Sequence, residues 1–562
     1  MRDAQHQTRT LPKLIPYLWI AGVLLILWLG FVWLVQIKAQ ELNMELRDMN
    51  QVMRWGIAAI VGPILLIFTV HWWGNAVASE KAGLATYKAN DMAQIAEQKA
   101  TQLRTYSLEI RGVGLGIHQD HQSEIWQFIK KKNDNFASIY SRDPKDYKAS
   151  LRSRQNSRDI KIRVAFKHSA GESVAYWPIP VFALGPPDPY EKGYRAAGLI
   201  NSGRNKATLG VTQFLWQDDE STTHAQGMIE RLFQFFDNNP QVPQALIASE
   251  DGDVTRDVYR KPGMPGLQNG QVVPTVYESM AGLLVTRSDR VDRYIRRYAT
   301  HEPEDNQNKN SDLGKLWAFY WQQPPKFRKV YEEAERAKGA EDPLAPGTMS
   351  TAYWQSQLPT LWQTISNRGP GEFEPSPWLP IRWAQHQVKE FDAAPVLGYL
   401  HRPIKVSMQD ENGKRLKPAL QAKALQGGWL QALATLPEGH KPVRVFYDTT
   451  DNQEAEIALT LALHGLNTDG HGLELGNVDE GYNIGRRLGN TGVSSALVEI
   501  NLATIASYLD GGTSAVVYAG ANGSLTVQMI RPPDAARIAK NRANRGADPF
   551  KFGSPNGGAP RP

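Results

Sequence analysis

Residues 485–532 read GRRLGNTGVSSALVEINLATIASYLDGGTSAVVYAGANGSLTVQMIRP, and the fold turns on them. The turn Gly489-Asn490-Thr491-Gly492 opens into an apolar run in which Ala496, Leu497, Ile500, Ala503, Thr504 and Ser507 recur at spacings of three and four. Nearly every residue there is small or aliphatic, so the helix is expected to be buried on most faces. Gly511-Gly512 stops it. Ser514 to Tyr518 and Leu525 to Ile530 then form two β-branched runs joined by Ala521-Asn522-Gly523, whose Asn-Gly pair suits a tight hairpin. The reading is interior helix, strand, turn, strand.

A buried helix on an antiparallel pair, entered through this G-x-T-G turn, resembles the last segment of thiolase-like (ketosynthase-type) proteins. In those enzymes a Cys and a His near such a turn carry acyl transfer. This chain has no Cys and places Asn490 where a ketosynthase usually shows His. The resemblance therefore implies the fold without the chemistry.

At 562 residues the chain exceeds one compact domain. The absence of Cys excludes disulfides, thiolate nucleophiles and Cys-bound zinc or iron–sulfur centres. Most of the net charge of +6 comes from one place, since past residue 530 seven cations from Arg531 to Arg561 face only Asp534 and Asp548. The rest is near neutral, and a phosphate-tracking groove for nucleic acid is not indicated.

Pro16 to Val35 runs without a charge, and Trp55 to Trp73 does the same with Trp55, Trp72 and Trp73 at its edges. At about 1.5 Å per residue each spans a bilayer core, so residues 1–79 read as a membrane hairpin (spans about 16–35 and 55–73). Lys and Arg are in modest excess on the flanks over the short loop, which places both termini in the cytoplasm. Residues 80–104, Ala-rich and charged, read as a helical stalk.

The first α/β region is expected over 105–312. SLEIRGVGLGIH reads as a strand from Tyr106, followed by a helix around Gln122 to Lys132. Its glycines 112, 114 and 116 invite a dinucleotide reading, but Ile117 stands where the last glycine of G-x-G-x-x-G belongs, and close packing is the better account. Lys145 to Arg163 reads as a solvated basic surface, or one touching anionic lipid. Ile160 to Phe166 and Glu172 to Trp177 read as paired strands, Pro178 to Pro189 as a Pro-rich connection, and Thr208 to Trp216 as a strand. Asp218-Asp219-Glu220 is expected to cap the amphipathic run Thr223 to Phe236. Gln244 to Ser249 reads as a buried strand, and Glu250-Asp251-Gly252-Asp253 as a polar turn without calcium-loop spacing. His118 and His121 lack a carboxylate at matching spacing, and no metal or cofactor is assigned.

Residues 313–390, rich in Trp and Pro, read as a long insertion with short helices, one from Lys326 to Lys338. Trp354, Trp362 and Trp378 are its candidate partner-binding rings. The second α/β region spans 391–532, with Pro442 to Tyr447 a strand and Asn452 to His464 a helix. Strand-then-helix units in both regions suggest two related halves. Residues 533–562 read as a disordered basic tail.

Taken in order, the hairpin, LEIRGVGLGI at 108–117, PIPVFALGPP at 178–187 and QALIASEDG at 244–252 resemble the type VI lipase adapter family. That resemblance implies a non-enzymatic adapter at the bacterial inner membrane, its soluble region cytoplasmic, that binds a phospholipase effector and hands it to the spike protein of a type VI secretion machine. The alternative is a membrane-anchored acyltransferase of thiolase-like fold.

Overall fold

The computed structural model describes residues 15–41, 54–73 and 106–551, except 134–135, 188–193, 218–223, 261–262, 342, 344 and 451. The chain divides into two units, 1–103 and 104–562. In the first, α1 (Ile15–Glu41) and α2 (Arg54–Trp73) are long and apolar enough to cross a membrane. Tyr17 at the start of α1 hydrogen-bonds His71 at the end of α2 at 2.7 Å and packs on Phe68, so the two run antiparallel as a hairpin. The stalk expected over 80–104 lies outside the described residues.

The second unit begins with β1 (Ser107–Ile117), β2 (Asp120–His121) and α3 (Ser123–Lys131). Then come α4 (Leu151–Ala170), β3 (Pro178–Leu184), α5 (Tyr194–Ala207), β4 (Gln213–Trp216), α6 (Ala225–Asn238), β5 (Gln244–Asp251), α7 (Asp253–Val258) and β6 (Ser279–Thr286). After β6 come α8 (Ser288–Tyr294), α9 (Asp312–Ala337), α10 (Thr351–Trp362) and α11 (Gln385–Ala393), the last three in the stretch read as an insertion. It is followed by β7 (Gly398–His401), β8 (Ile404–Val406), α12 (Pro418–Leu433), β9 (Pro442–Tyr447), α13 (Gln453–Asn467) and β10 (Gly481–Asn483). The chain ends with α14 (Ile484–Leu488), α15 (Ser495–Asp510), β11 (Thr513–Ala519), β12 (Leu525–Arg531) and α16 (Ala535–Arg545).

The strands lie in the order β10-β9-β11-β12-β7-β1-β6-β5-β3-β4. Read outward from the central antiparallel pair β1–β7, the two sides match: β1, β6, β5, β3, β4 against β7, β12, β11, β9, β10. The hydrogen-bonding sense matches too, with β5, β3 and β4 parallel like β11, β9 and β10, and β6 and β12 antiparallel to their neighbours. This is the duplication expected from the sequence. Alternation on each strand sorts the layers. In β5, Leu246 and Ala248 pack with α4 and α5, whereas Ala245 and Ile247 join a central cluster with α6, α15 and the inner face of β11. Val517 and Val527 turn outward to α12 and α13. One continuous sheet thus has α4 and α5 packed on one half, α12 and α13 on the other, and α6 and α15 in the cluster that both halves share.

α15 is buried from Ala496 to Tyr508, ends at Gly511 and leads into the β11–β12 hairpin through Asn522 and Gly523 at positive φ, as its sequence requires. It lies in a stretch, Gly492–Asp510, that is a third helix long and apolar enough to span a membrane, but 78% of it is buried within this body. The glycines of β1 serve close packing: a Cβ on Gly114 would lie 1.8 Å from the Ala165 carbonyl of α4.

Five expectations are overturned. Residues 160–166 belong to helix α4, whose buried face includes Arg158, Lys161, Ile162, Ala165, Phe166 and Ser169 at helical spacing, and two cations on that face hide the apolar period. The same burial removes Arg158 and Lys161 from the solvated surface expected over 145–163. Residues 178–184 form β3 rather than a connection. Its prolines 178 and 180 pair with β4 only, and pairing to β5 starts at Val181, so no bond on the β5 side is lost to them. The insertion holds a 26-residue helix, α9, that runs through Pro324 and Pro325. Residues 535–545 form α16, capped by Asp534 and tied by Asn541 to the Val396 carbonyl at 2.7 Å, and Phe550 beyond it is buried against Tyr508. Residues 552–562 of the expected tail lie outside the described residues.

Candidate functional site

Three turns converge where parallel strand β5 ends: Asp251-Gly252, the approach to β6 at Tyr277 and Glu278, and the Gly489–Gly492 turn that opens toward α15. Asp251 is fully buried and accepts from Gly252 N (2.8 Å), from Arg256 Nε and Nη2 (2.8 and 3.0 Å) and from Val493 N (2.9 Å). Tyr277 N donates to the Asn490 carbonyl at 2.8 Å and Ser279 Oγ to that of Thr491 at 3.1 Å. Gly492 sits at φ +60° with its missing Cβ 1.9 Å from Asp251 Oδ2, so only glycine permits the approach. The end of the first half's β5 is thus bonded to the start of the second half's central helix.

Behind this seam lies a buried charge cluster. Arg158 Nη2 meets Glu250 Oε1 at 2.6 Å, Thr255 Oγ1 donates to Glu278 at 2.8 Å and lies 3.1 Å from Glu250, and Lys161 Nζ stands 3.9 Å from Glu278. Burial pushes Lys161 down to about 8 and raises Glu278, each partly countered by the other. The turn 250–253 is therefore not a solvated one. Its first two carboxylates are interior anchors.

In front of the seam is an aromatic cage. The His118 ring lies 5.3, 5.2 and 5.9 Å from those of Tyr140, Tyr147 and Tyr277, and Tyr140 stacks on Tyr277 at 5.2 Å. His118 adopts φ +52°, a conformation few side chains accept, and its N–H donates to the Glu278 carbonyl at 2.7 Å. Burial, with Lys161 and Lys148 nearby, pushes its imidazole down to about 4, so it is neutral at physiological pH. Two cavities open on either side of Val273: a polar cleft of about 790 Å³ reaching Arg142, Thr450, Asn452 and Arg486, and a pocket of about 190 Å³ beside His118.

The turn that resembles a ketosynthase turn carries no reactive pair. Asn490 Oδ1 accepts from Gly492 N at 2.8 Å and so shapes the turn itself. The Ser495 hydroxyl donates to Asp448 and approaches Glu499 at 3.3 Å. Glu499 is fully buried, and burial beside Asp448 raises its carboxyl well above the usual range.

Of the three candidate rings, Trp354 is wholly buried among Leu316, Phe319, Tyr320 and Leu358, which makes it a core residue and not a surface for a partner. Trp362 and Trp378 are partly buried; Trp362 Nε1 donates to the Pro380 carbonyl at 3.2 Å and Trp378 Nε1 to Asn239 at 2.7 Å. His118 and His121 serve different roles, one in the cage and the other paired to Gly116 in the β1–β2 hairpin. Asp218-Asp219-Glu220 lies outside the described residues. Tyr140, Tyr147 and Tyr277 went unmarked because no local spacing links them; only the fold brings them together.

Two family models match the chain: that of the type VI lipase adapter protein Tla3, N-terminal, over residues 106–270, and that of its C-terminal counterpart over 397–532. Among solved structures it is similar to the ishigamide ketosynthase/chain length factor, at 10% identity and TM-score 0.36, covering 76% of this chain and 100% of that one. It is also similar to the ketosynthase from module 6 of the bacillaene synthase from Bacillus subtilis 168, at 8% identity and TM-score 0.37, covering 76% of this chain and 72% of that one.

Proposed function

Because the chain belongs to the type VI lipase adapter family, we propose that its α/β body binds a phospholipase effector and helps load it onto the spike protein of the secretion machine, without catalysing acyl transfer. The observation that carries this reading is the pair of family matches, one on each half, on either side of the insertion. The lack of any Cys and the tied-down Asn490 support a non-catalytic role, since transfer needs an activated nucleophile with a base in reach. We place α1 and α2 in the inner membrane with the body in the cytoplasm, and divide the body into regions 105–312, 313–390 and 391–532. The partly exposed rings of the insertion, Trp362 and Trp378, with Trp321 on α9, are the proposed contact surface.

Full-length protein in detergent is mixed with a lipase effector encoded beside it, then with the spike protein, and complexes are resolved by size-exclusion chromatography. A binary and then a ternary complex are expected, with affinity reduced in Trp378→Ala. Failure to bind any such lipase overturns the reading, as does a covalent acyl-enzyme on incubation with acyl thioesters. Reporter fusions after Glu80 and near Asn43 should be cytoplasmic and periplasmic respectively; the reverse overturns the topology.

A further inference from the structure

We propose that the small pocket beside His118 binds a carboxylate carried on a compact apolar body. Its volume, about 190 Å³, falls below the roughly 300–1,000 Å³ of drug-sized sites, so it admits a group of only a few non-hydrogen atoms. One wall is apolar, built from Val254, Leu267, Val272, Val273 and Pro274. Two cations, Lys148 and Arg154, line it as well, with Ser157 bonded to Lys148.

Two acids also line the pocket, and both are already engaged. Asp253 accepts from Thr275 N at 2.7 Å and Val276 N at 3.1 Å, and Glu278 accepts from Val254 N at 2.5 Å and Thr255 Oγ1 at 2.8 Å. They tie the start of α7 to the approach to β6. The cations are less committed. Arg154 donates one Nη2 bond to the Gln268 carbonyl, while its Nε, shielded from solvent, has no hydrogen-bond partner among the described residues. Lys148 is exposed, and its Nζ donates to the neutral Ser157 Oγ at 2.5 Å, so it adds a solvated cation to the pocket lining. A buried donor without a partner costs free energy that an incoming carboxylate would recover through a charge-assisted bond.

His118 supports the same conclusion. Its ring lines the pocket within the tyrosine cage, its Nε2 meets Gln119 Nε2 at 3.0 Å, and the imidazole, pushed down to about 4, is neutral and adds a polar edge without a competing charge. The shared chemistry, carboxylate plus apolar body, has two sources: a free short-chain acid, or the C-terminal apolar residue of a polypeptide.

The test uses full-length protein in detergent and saturation-transfer NMR with hexanoate and N-acetyl-leucine, each against its uncharged amide. Saturable binding of at least one acid is expected, with its amide weaker by about tenfold. Arg154→Gln, at a partly exposed position that leaves the fold intact, should weaken the acid several-fold and leave the amide unchanged, and Lys148→Gln should act in the same direction. Preference for hexanoate identifies a free acid as the source, and preference for N-acetyl-leucine a chain terminus. Equal binding of acid and amide, an unchanged affinity in Arg154→Gln, or no saturable binding of either acid overturns the proposal.

Discussion

Replacing Trp354 by Ala separates a core role from a binding role. The ring is fully buried on α10, with centroids 5.5 Å from Phe319 and 5.8 Å from Tyr320. Truncating a buried Trp costs about 3–5 kcal/mol, the lost transfer energy plus the cavity left behind. Trp354→Phe should behave differently. It keeps most of the packing and removes the indole Nε1, a buried donor that has no partner among the described residues. An orphan donor costs about 1–3 kcal/mol, which offsets much of the lost ring area, so the Phe variant should stay within about 1.5 kcal/mol of the parent. The assay is urea unfolding of the full chain in detergent followed by near-ultraviolet circular dichroism, with lipase affinity measured on the same samples below the transition. The Ala variant should lose several degrees of melting temperature and, where folded, bind the lipase as the parent does. Parental stability with lost affinity would refute the core assignment and return Trp354 to the interface.

Acid should weaken the body through buried histidines. Burial, with Arg531 nearby, holds His401 at about 4, and its Nδ1 meets the Thr435 carbonyl at 2.9 Å. The unfolded chain takes up this proton below about pH 6.5 and the folded chain only near 4, so the contribution is full above 6.5 and is lost as pH falls toward 4. Unfolding free energies compared at about pH 7.5 and about pH 5 should converge in His401→Gln relative to the parent. Arg158→Met leaves Glu250 buried and unpaired and should cost about 3–5 kcal/mol, most of it recovered when Glu250→Leu is added; denaturation of both single variants and the double closes the cycle. Gly492→Ala forces a Cβ onto the Asp251 carboxylate at a left-handed φ and should destabilise by more than about 2 kcal/mol, with faster amide exchange at Val493.

The C-terminal stretch was legible because every level agreed: helical spacing within α15, glycines at its end, β-branched strands and an Asn-Gly turn. The misreadings occur where levels conflict. In α4 the alternation of IKIRVAF favours a strand locally, and the helical face becomes visible only when Arg158 and Lys161 are counted as interior residues, which their acidic partners Glu250 and Glu278 allow. β3 was hidden by prolines that a strand tolerates where one side is unpaired. α16 looked like a basic tail because the residues that hold it, Asn541 and Phe550, dock on groups far away in the chain. The cage around His118 draws on residues 118, 140, 147 and 277 and has no local signature.

The duplication shows what the insertion does. In the first half, α5 and the edge strand β4 are covered: Tyr320 Oη donates to the Phe214 carbonyl at 2.8 Å, Trp216 N to that of Met349 at 2.9 Å, Thr348 Oγ1 to that of Ala197 at 3.0 Å, and Arg204 lies over the Trp321 ring. In the second half the matching helices carry no such cover among the described residues, and Leu420, Leu430, Ile457 and Leu461 are exposed there, while the matching edge β10 is only three residues long. An unprotected four-residue β4 would offer its backbone to any passing strand. The first duty of the aromatic residues in 313–390 is therefore to seal the edge and outer face of one half, which is why Trp354 and Trp383 are buried. Rings on the outer margin of that seal, Trp321 and Trp362 among them, are the partly exposed ones on which the proposed contact rests, and they are fewer than the Trp content of the segment suggests.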